Sequence, residues 1–205
     1  MLLAQDGWHV TLVTVFTKSM PDPQGFALSC QLDKGLAPDV DYMAVRRDED
    51  REFCRRAGLP EPVHLDFPEA PHRGYRNAQD LFQGVHENDE VWQSLPMWAA
   101  DLIFAPQGLG SHSDHLQVIR SLTQPAIRYQ DAPYALRIGA HSPVLVDTAS
   151  IQDEKLWAIE AYQTQLQFQF GGAAAMRKAL KVWEERFTVC DQSLLRKWSR
   201  FQNQP

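Results

Sequence analysis

The hydrophobic pattern of this chain switches repeatedly between strand-like and helix-like periods. Residues 2–4 suit the last turn of a helix that Gly7 would stop. Residues 8–17 are rich in β-branched and aromatic side chains and predict a strand. Over residues 18–41, Pro21, Pro23, Gly25, Gly35 and Pro38 break any periodicity. A loop of that length, leaving the carboxyl end of a strand, forms either a wall or lid of the pocket or a disordered excursion. A helix is predicted over 45–57, closed by Gly58 and Pro60, and a short strand over 62–67. Residues 68–75 then read as a loop carrying Glu69 and His72. One or two short helices are expected within 77–98, anchored by Leu81, Phe82, Val91, Trp92 and Leu95.

The stretch from Asp101 to Leu122 stands out. Its apolar run 102–105 has the size of a buried strand, and a turn with Gly108 and Gly110 follows. Leu116, Ile119 and Leu122 then recur at helical spacing. Extended segments are expected at 125–129 and 141–146, with a turn at 130–134 between them. A long helix starts at Gln152, with Leu156, Ile159, Tyr162 and Leu166 as one apolar stripe ended by Gly171-Gly172. Further helices are predicted over 173–187 and 193–201. Strands alternating with helices predict an α/β fold: Rossmann-like, three-layer and doubly wound, with a mostly parallel sheet. We expect one domain over 1–205, with 152–205 a helical tail packed on it.

Composition narrows the function classes. The 205 residues are 44% hydrophobic and 22% charged, as in ordinary globular proteins. A net charge of −6 argues against nucleic acid or an anionic membrane as partner. No apolar run reaches the ~20 residues of a membrane span. The three cysteines, Cys30, Cys54 and Cys190, are odd in number and scattered. They predict free thiols in a reducing, cytoplasmic setting, with Cys54 as a small core residue.

Candidate chemistry gathers after the glycine turn. His112 and His115 lie three residues apart, so both rings share one face of the expected helix, with Asp114 between them. In an open α/β sheet this position lies at the carboxyl edge of the strands, where ligands bind. A capping box of Ser111 and Asp114 would account for those two residues without chemistry, but not for two imidazoles. The charge cluster 46–52 is either a solvated face of ion pairs or a helix start that presents Arg46 to an anionic group.

Taken together, these residues resemble the LmbE/PIG-L zinc-dependent N-deacetylases. The segment Pro106-Gln-Gly-Leu-Gly-Ser-His-Ser-Asp-His115 is similar to the family's His-x-Asp-His motif. Arg46-Arg-Asp-Glu49 with Ala57-Gly-Leu59 resembles its Arg-x-x-Glu helix. Leu65-Asp-Phe-Pro-Glu69 resembles its Leu-x-x-Pro-Asp segment, with Glu for Asp. Asp147, Lys155, Ala158, Tyr162 and Gln165 look like its late Asp…Lys-x-x-Ala-x-x-x-Tyr-x-(Ser/Thr)-Gln pattern. The resemblance implies a zinc-dependent hydrolase that removes acetyl groups from an N-acetylglucosamine-containing or related acetamido substrate. It implies His115 as a zinc ligand, His112 as a catalytic imidazole, Asp114 as its orienting carboxylate, and Arg46 as a substrate contact.

The family's first strand ends in His-Pro-Asp-Asp, which supplies two zinc ligands and the general base. That element should lie roughly 20–30 residues before Val10, one βαβ step, and no His-x-x-Asp elsewhere replaces it. Residues 1–7 read as a helix cut in mid-course, so a start assigned downstream of the true one is expected. The chain itself is then expected to hold zinc weakly or not at all, and to self-associate through exposed sheet edges. Asp22, His72 and His141 are the first suspects for a missed ligand. The expected partner is a small amino-sugar substrate. The alternative is a catalytically inactive Rossmann-like domain that binds a sugar or nucleotide-like ligand.

Overall fold

A computed structural model describes residues 1–89, 95–139, 142–194 and 196–197. In chain order the elements are α1 (Leu2–Gln5), β1 (Val13–Thr14), α2 (Gly25–Leu32), α3 (Tyr42–Ala57), β2 (Val63–His64), α4 (Ala78–Leu81), β3 (Phe104–Pro106), α5 (Ser113–Ser121), β4 (Ile127–Tyr129), α6 (Tyr134–Ile138), β5 (Val144–Val146), α7 (Gln152–Ile159), α8 (Gln163–Phe170), α9 (Ala173–Leu180) and β6 (Glu185–Thr188). They group into two compact units, Met1–Asn77 with Thr148–Trp183, and Ala78–Asp147 with Glu184–Pro205.

The first unit is built on α3. Asp41 caps its start by accepting from the Ala44 N–H at 2.9 Å. Gly58, at φ 67°, ends it, and the Leu59 N–H returns to the Cys54 carbonyl at 2.8 Å. Its buried face carries Met43, Glu49, Asp50, Cys54 and Ala57. The charge cluster therefore divides. Asp48 pairs with Arg51, and Glu52 with Arg55 and Arg56, toward the surface, while Glu49 and Asp50 turn inward. Helix α7 packs on α3. Leu156, Leu166, Met176 and Leu180 join α7, α8 and α9 into one core, with Ile159, Phe170 and Trp183 against it.

Several expectations fail here for identifiable reasons. The strand over 8–17 shrinks to β1, which pairs in parallel with β2. Pro60 and Pro62 have no N–H to donate, so the ladder cannot extend on that side. Residues 18–41 are neither bare loop nor disordered, since α2 forms within them. Its prolines all lie outside the helix, and the Gln31 side chain ties the following turn by donating to the Ala37 and Val40 carbonyls at 2.5 and 3.0 Å. The long helix from Gln152 is two helices. Glu49 accepts from the Thr164 N–H at 2.6 Å and from the Thr164 hydroxyl at 2.8 Å, and so caps a new start at α8.

The second unit holds a four-stranded sheet in the order β3-β4-β6-β5. Strands β3 and β4 are parallel, joined through α5, whereas β6 runs antiparallel to both of its neighbours. The sheet is thus mixed, where the sequence pattern predicts a mostly parallel one. The cause is the stretch read as the end of a helix over 173–187. Its last residues form β6, with Phe187 packing on Phe104 at 5.9 Å between ring centroids. The 152–205 segment is accordingly not wholly helical. Ile127 and Leu194 centre the core, with Leu102, Phe104, Val144, Val146, Phe187 and Val189 around them. Leu81 and Leu95 are buried as expected, but Phe82 is exposed. Val91, Trp92, His141 and most of the 193–201 helix expectation lie outside the described residues. No helix among the described residues is long and apolar enough to cross a membrane.

Candidate functional site

The loop from β3 to α5 forms as the glycines predict. Gly108 and Gly110 take φ of 82° and 79°. A Cβ on Gly108 would lie 2.8 Å from Ile119 Cδ1 and 2.9 Å from Leu116 Cδ2, and one on Gly110 would lie 3.2 Å from Tyr134 Cβ. The positive φ at both positions favours glycine, and a Cβ there would press on α5 and α6. A single 3-10 turn, Leu109–Ser111, follows, and His112 then serves as the N-cap of α5. Its Nδ1 accepts from the Asp114 N–H at 3.2 Å. The Ser111–Asp114 capping box does not form. Ser111 sits at φ 60°, and the imidazole takes the capping position. Because His112 Nδ1 accepts, the proton of the neutral ring is on Nε2.

The two imidazoles come together, although His112 caps α5 from outside the helix and so does not share a helical face with His115. Their ring centroids are 5.3 Å apart, and both residues are half-buried. Tyr134, at the start of α6, lies 5.8 Å from His112 and 5.4 Å from His115. Phe82 stands edge-on to His112 at 5.2 Å and to Tyr134 at 5.4 Å. The result is a group of four rings beyond the carboxyl end of β3.

Asp131 completes this group, in a stretch that the sequence pattern marks only as a turn. Its side chain is fully buried, and its Oδ1 lies 2.9 Å from His115 Nδ1. Its Oδ2 accepts from the Leu109 N–H at 2.9 Å. A signal did exist. Asp131 follows β4, the parallel neighbour of β3, so both loops leave the same sheet edge.

Arg46 belongs to the other unit. Its guanidinium lies 3.5 Å from Glu49 and 5.7 Å from the centre of the Tyr162 ring. Beside it, Asp50 accepts from the Thr14 hydroxyl at 2.7 Å and faces His64 Nε2 at 3.0 Å. Tyr162 also hydrogen-bonds Asp50, and burial, with the nearby Asp50 charge, raises its hydroxyl pKa well above the usual value. Gln165 donates to the Tyr42 hydroxyl at 3.2 Å. Of the late-helix residues matched by resemblance, Tyr162 and Gln165 thus bond to α3, at Asp50 and Tyr42.

Among the described residues no three His, Cys, Asp or Glu side chains converge as a metal site. Neither Asp22 nor His72 belongs to such a group, and burial alone lowers the pKa of His72. A catalytic zinc takes three protein ligands and keeps one open position. The described residues offer one imidazole of the right build, His115 with a carboxylate behind it, and fall short of that set.

No known protein-family profile matches the chain. Over 141 residues, 62% of its length, it is 33% identical to 2'-N-acetylparomamine deacetylase of Streptomyces fradiae. It spans about half of that relative, 48% of the relative's length. Its fold is that of two solved structures. One is a triple mutant of a deacetylase of the teicoplanin biosynthetic pathway, with a TM-score of 0.62 and 24% identity over 87% of this chain and 79% of that one. The other is the zinc-inhibited form of teicoplanin deacetylase, with a TM-score of 0.61 and 22% identity over 87% and 82%.

Proposed function

We propose that this chain is an amide hydrolase of the LmbE/PIG-L N-deacetylase type, acting on an acetamido sugar. The observation that carries this reading is the pair of imidazoles at the carboxyl edge of β3, 5.3 Å apart, with Asp131 behind one of them. The deacetylase relative and the fold shared with glycopeptide-pathway deacetylases support it.

The reaction adds water across an amide to give acetate and a free amine. Charge builds first on the carbonyl oxygen and then on the leaving nitrogen. His112 presents Nε2–H, so it can donate to the oxyanion and, once protonated, return a proton to the amine. The N-cap bond from Asp114 fixes that orientation through the backbone, so the role of the Asp114 carboxylate stays a proposal from resemblance. His115 offers a lone pair on Nε2 when its Nδ1 carries the proton, the form a zinc ligand takes. Zinc, when bound, would polarise the carbonyl and acidify water. The described residues do not complete its coordination. Phe82 and Tyr134 supply ring faces against which a pyranose can pack. Arg46 remains the proposed substrate contact.

The test is acetate release from an N-acetylated aminoglycoside and from N-acetylglucosamine conjugates, with zinc supplied. Release that falls about 100-fold or more in His112→Ala, with the fold intact, is expected. Saturable sugar binding without acetate release would replace this reading by that of a binding domain.

A further inference from the structure

We infer that Asp131 is a positioning residue that sets the tautomer of His115, so that this ring presents a bare Nε2 while its neighbour His112 presents Nε2–H. The inference rests on the hydrolase reading for its purpose, but not for its geometry.

The two oxygens of Asp131 do different work. Oδ2 accepts from the Leu109 N–H at 2.9 Å and so pins the turn between Gly108 and Gly110. Oδ1 faces His115 Nδ1 at 2.9 Å. The separation is that of a hydrogen bond, but its angle is open, and neither atom has another hydrogen-bond partner among the described residues. Both atoms are buried. Buried polar atoms in native proteins are nearly all bonded. A slight turn of the ring lets each satisfy the other, with Nδ1–H donating to the carboxylate. A carboxylate can only accept, so the proton must sit on Nδ1, and Nε2 is left with its lone pair.

The other ring is held the opposite way. His112 Nδ1 accepts from the Asp114 N–H, which puts its proton on Nε2. Two imidazoles 5.3 Å apart thus carry complementary outer nitrogens, one a donor and one an acceptor or ligand. Each is fixed by a different partner, a backbone amide for His112 and a buried carboxylate for His115. The glycine turn that positions His112 is pinned by the same carboxylate that orients His115. Asp131 therefore couples loop and ring.

Asp131→Asn separates the two jobs. Its amide oxygen can still accept from the Leu109 N–H, while its NH2 meets His115 Nδ1 with a donor. The ring must then accept there and move its proton to Nε2. Nitrogen-15 NMR of the imidazoles at mildly alkaline pH reads this directly, with no substrate or metal. The expected wild-type spectrum shows His115 protonated on Nδ1 and His112 on Nε2. In Asp131→Asn, His115 changes to Nε2–H while the Leu109 amide resonance stays in place. Acetate release by this variant should fall by about 10–100-fold. A wild-type His115 protonated on Nε2, or an unchanged tautomer in a folded Asp131→Asn, overturns the inference. A correct tautomer without acetate release in the wild type would instead sink the hydrolase reading and leave this one standing.

Discussion

Each unit contains a buried carboxylate beside a histidine, and the two pairs are built differently. In the first unit Asp50 is saturated, with bonds from Thr14 and Tyr162 and His64 Nε2 at 3.0 Å. In the second unit Asp131 has one firm bond, from the Leu109 N–H, and faces His115 across an open angle. His64 turns its outer nitrogen inward to the carboxylate, whereas His115 turns the inner one and leaves Nε2 for other work. A satisfied buried pair holds elements together, and here it ties β1, α3 and β2. In the proposed hydrolase, a pair that commits only one nitrogen, at a sheet edge, leaves the other for chemistry.

The largest expected effect falls on the saturated pair. Asp50→Ala leaves a hydroxyl, a phenol and an imidazole without their acceptor, and should cost about 3 kcal/mol of stability in a denaturant titration. A loss below about 1 kcal/mol would mean that the network is looser than its distances imply. Gly108→Ala comes next. The φ of 82° and the Cβ contacts under 3.0 Å predict a cost of about 2 kcal/mol and a displaced His112, seen as altered imidazole shifts. An unchanged melting curve would show that the loop can move at no cost. Glu49→Gln weakens the remote cap of α8 and should cost about 1 kcal/mol, with faster hydrogen exchange at the Thr164 amide. The smallest effect on stability is expected for exposed Phe82. Phe82→Ala should change stability by less than about 0.5 kcal/mol. It should still raise KM for an acetamido sugar by up to about tenfold, through the lost ring contact.

The sequence made parts of each pair legible for physical reasons. The glycine turn marked where His112 and His115 would sit, although His112 is the N-cap of α5 and not a member of its face. Asp131 was hidden because its role depends on β3 and β4 lying side by side, which no local period encodes. The inward turn of Glu49 and Asp50 was hidden for the same reason. A run of charges reads as solvated until a second element supplies Thr14, His64, Tyr162 and Thr164. The break between α7 and α8 escaped because its cap comes from α3, over a hundred residues earlier in the chain. Strand β6 escaped because four residues are too few to override the helical pattern before them. The parallel β3–α5–β4 unit was legible, and it is the part that positions the imidazoles.

Acetate release by His115→Ala and His64→Ala, compared side by side and normalised to folded protein, tests the contrast most directly. The account predicts that His115→Ala abolishes release from an acetamido sugar, while His64→Ala lowers stability and leaves the rate per folded molecule near wild type. Equal rates in the two folded variants, or a greater loss in His64→Ala, would contradict it.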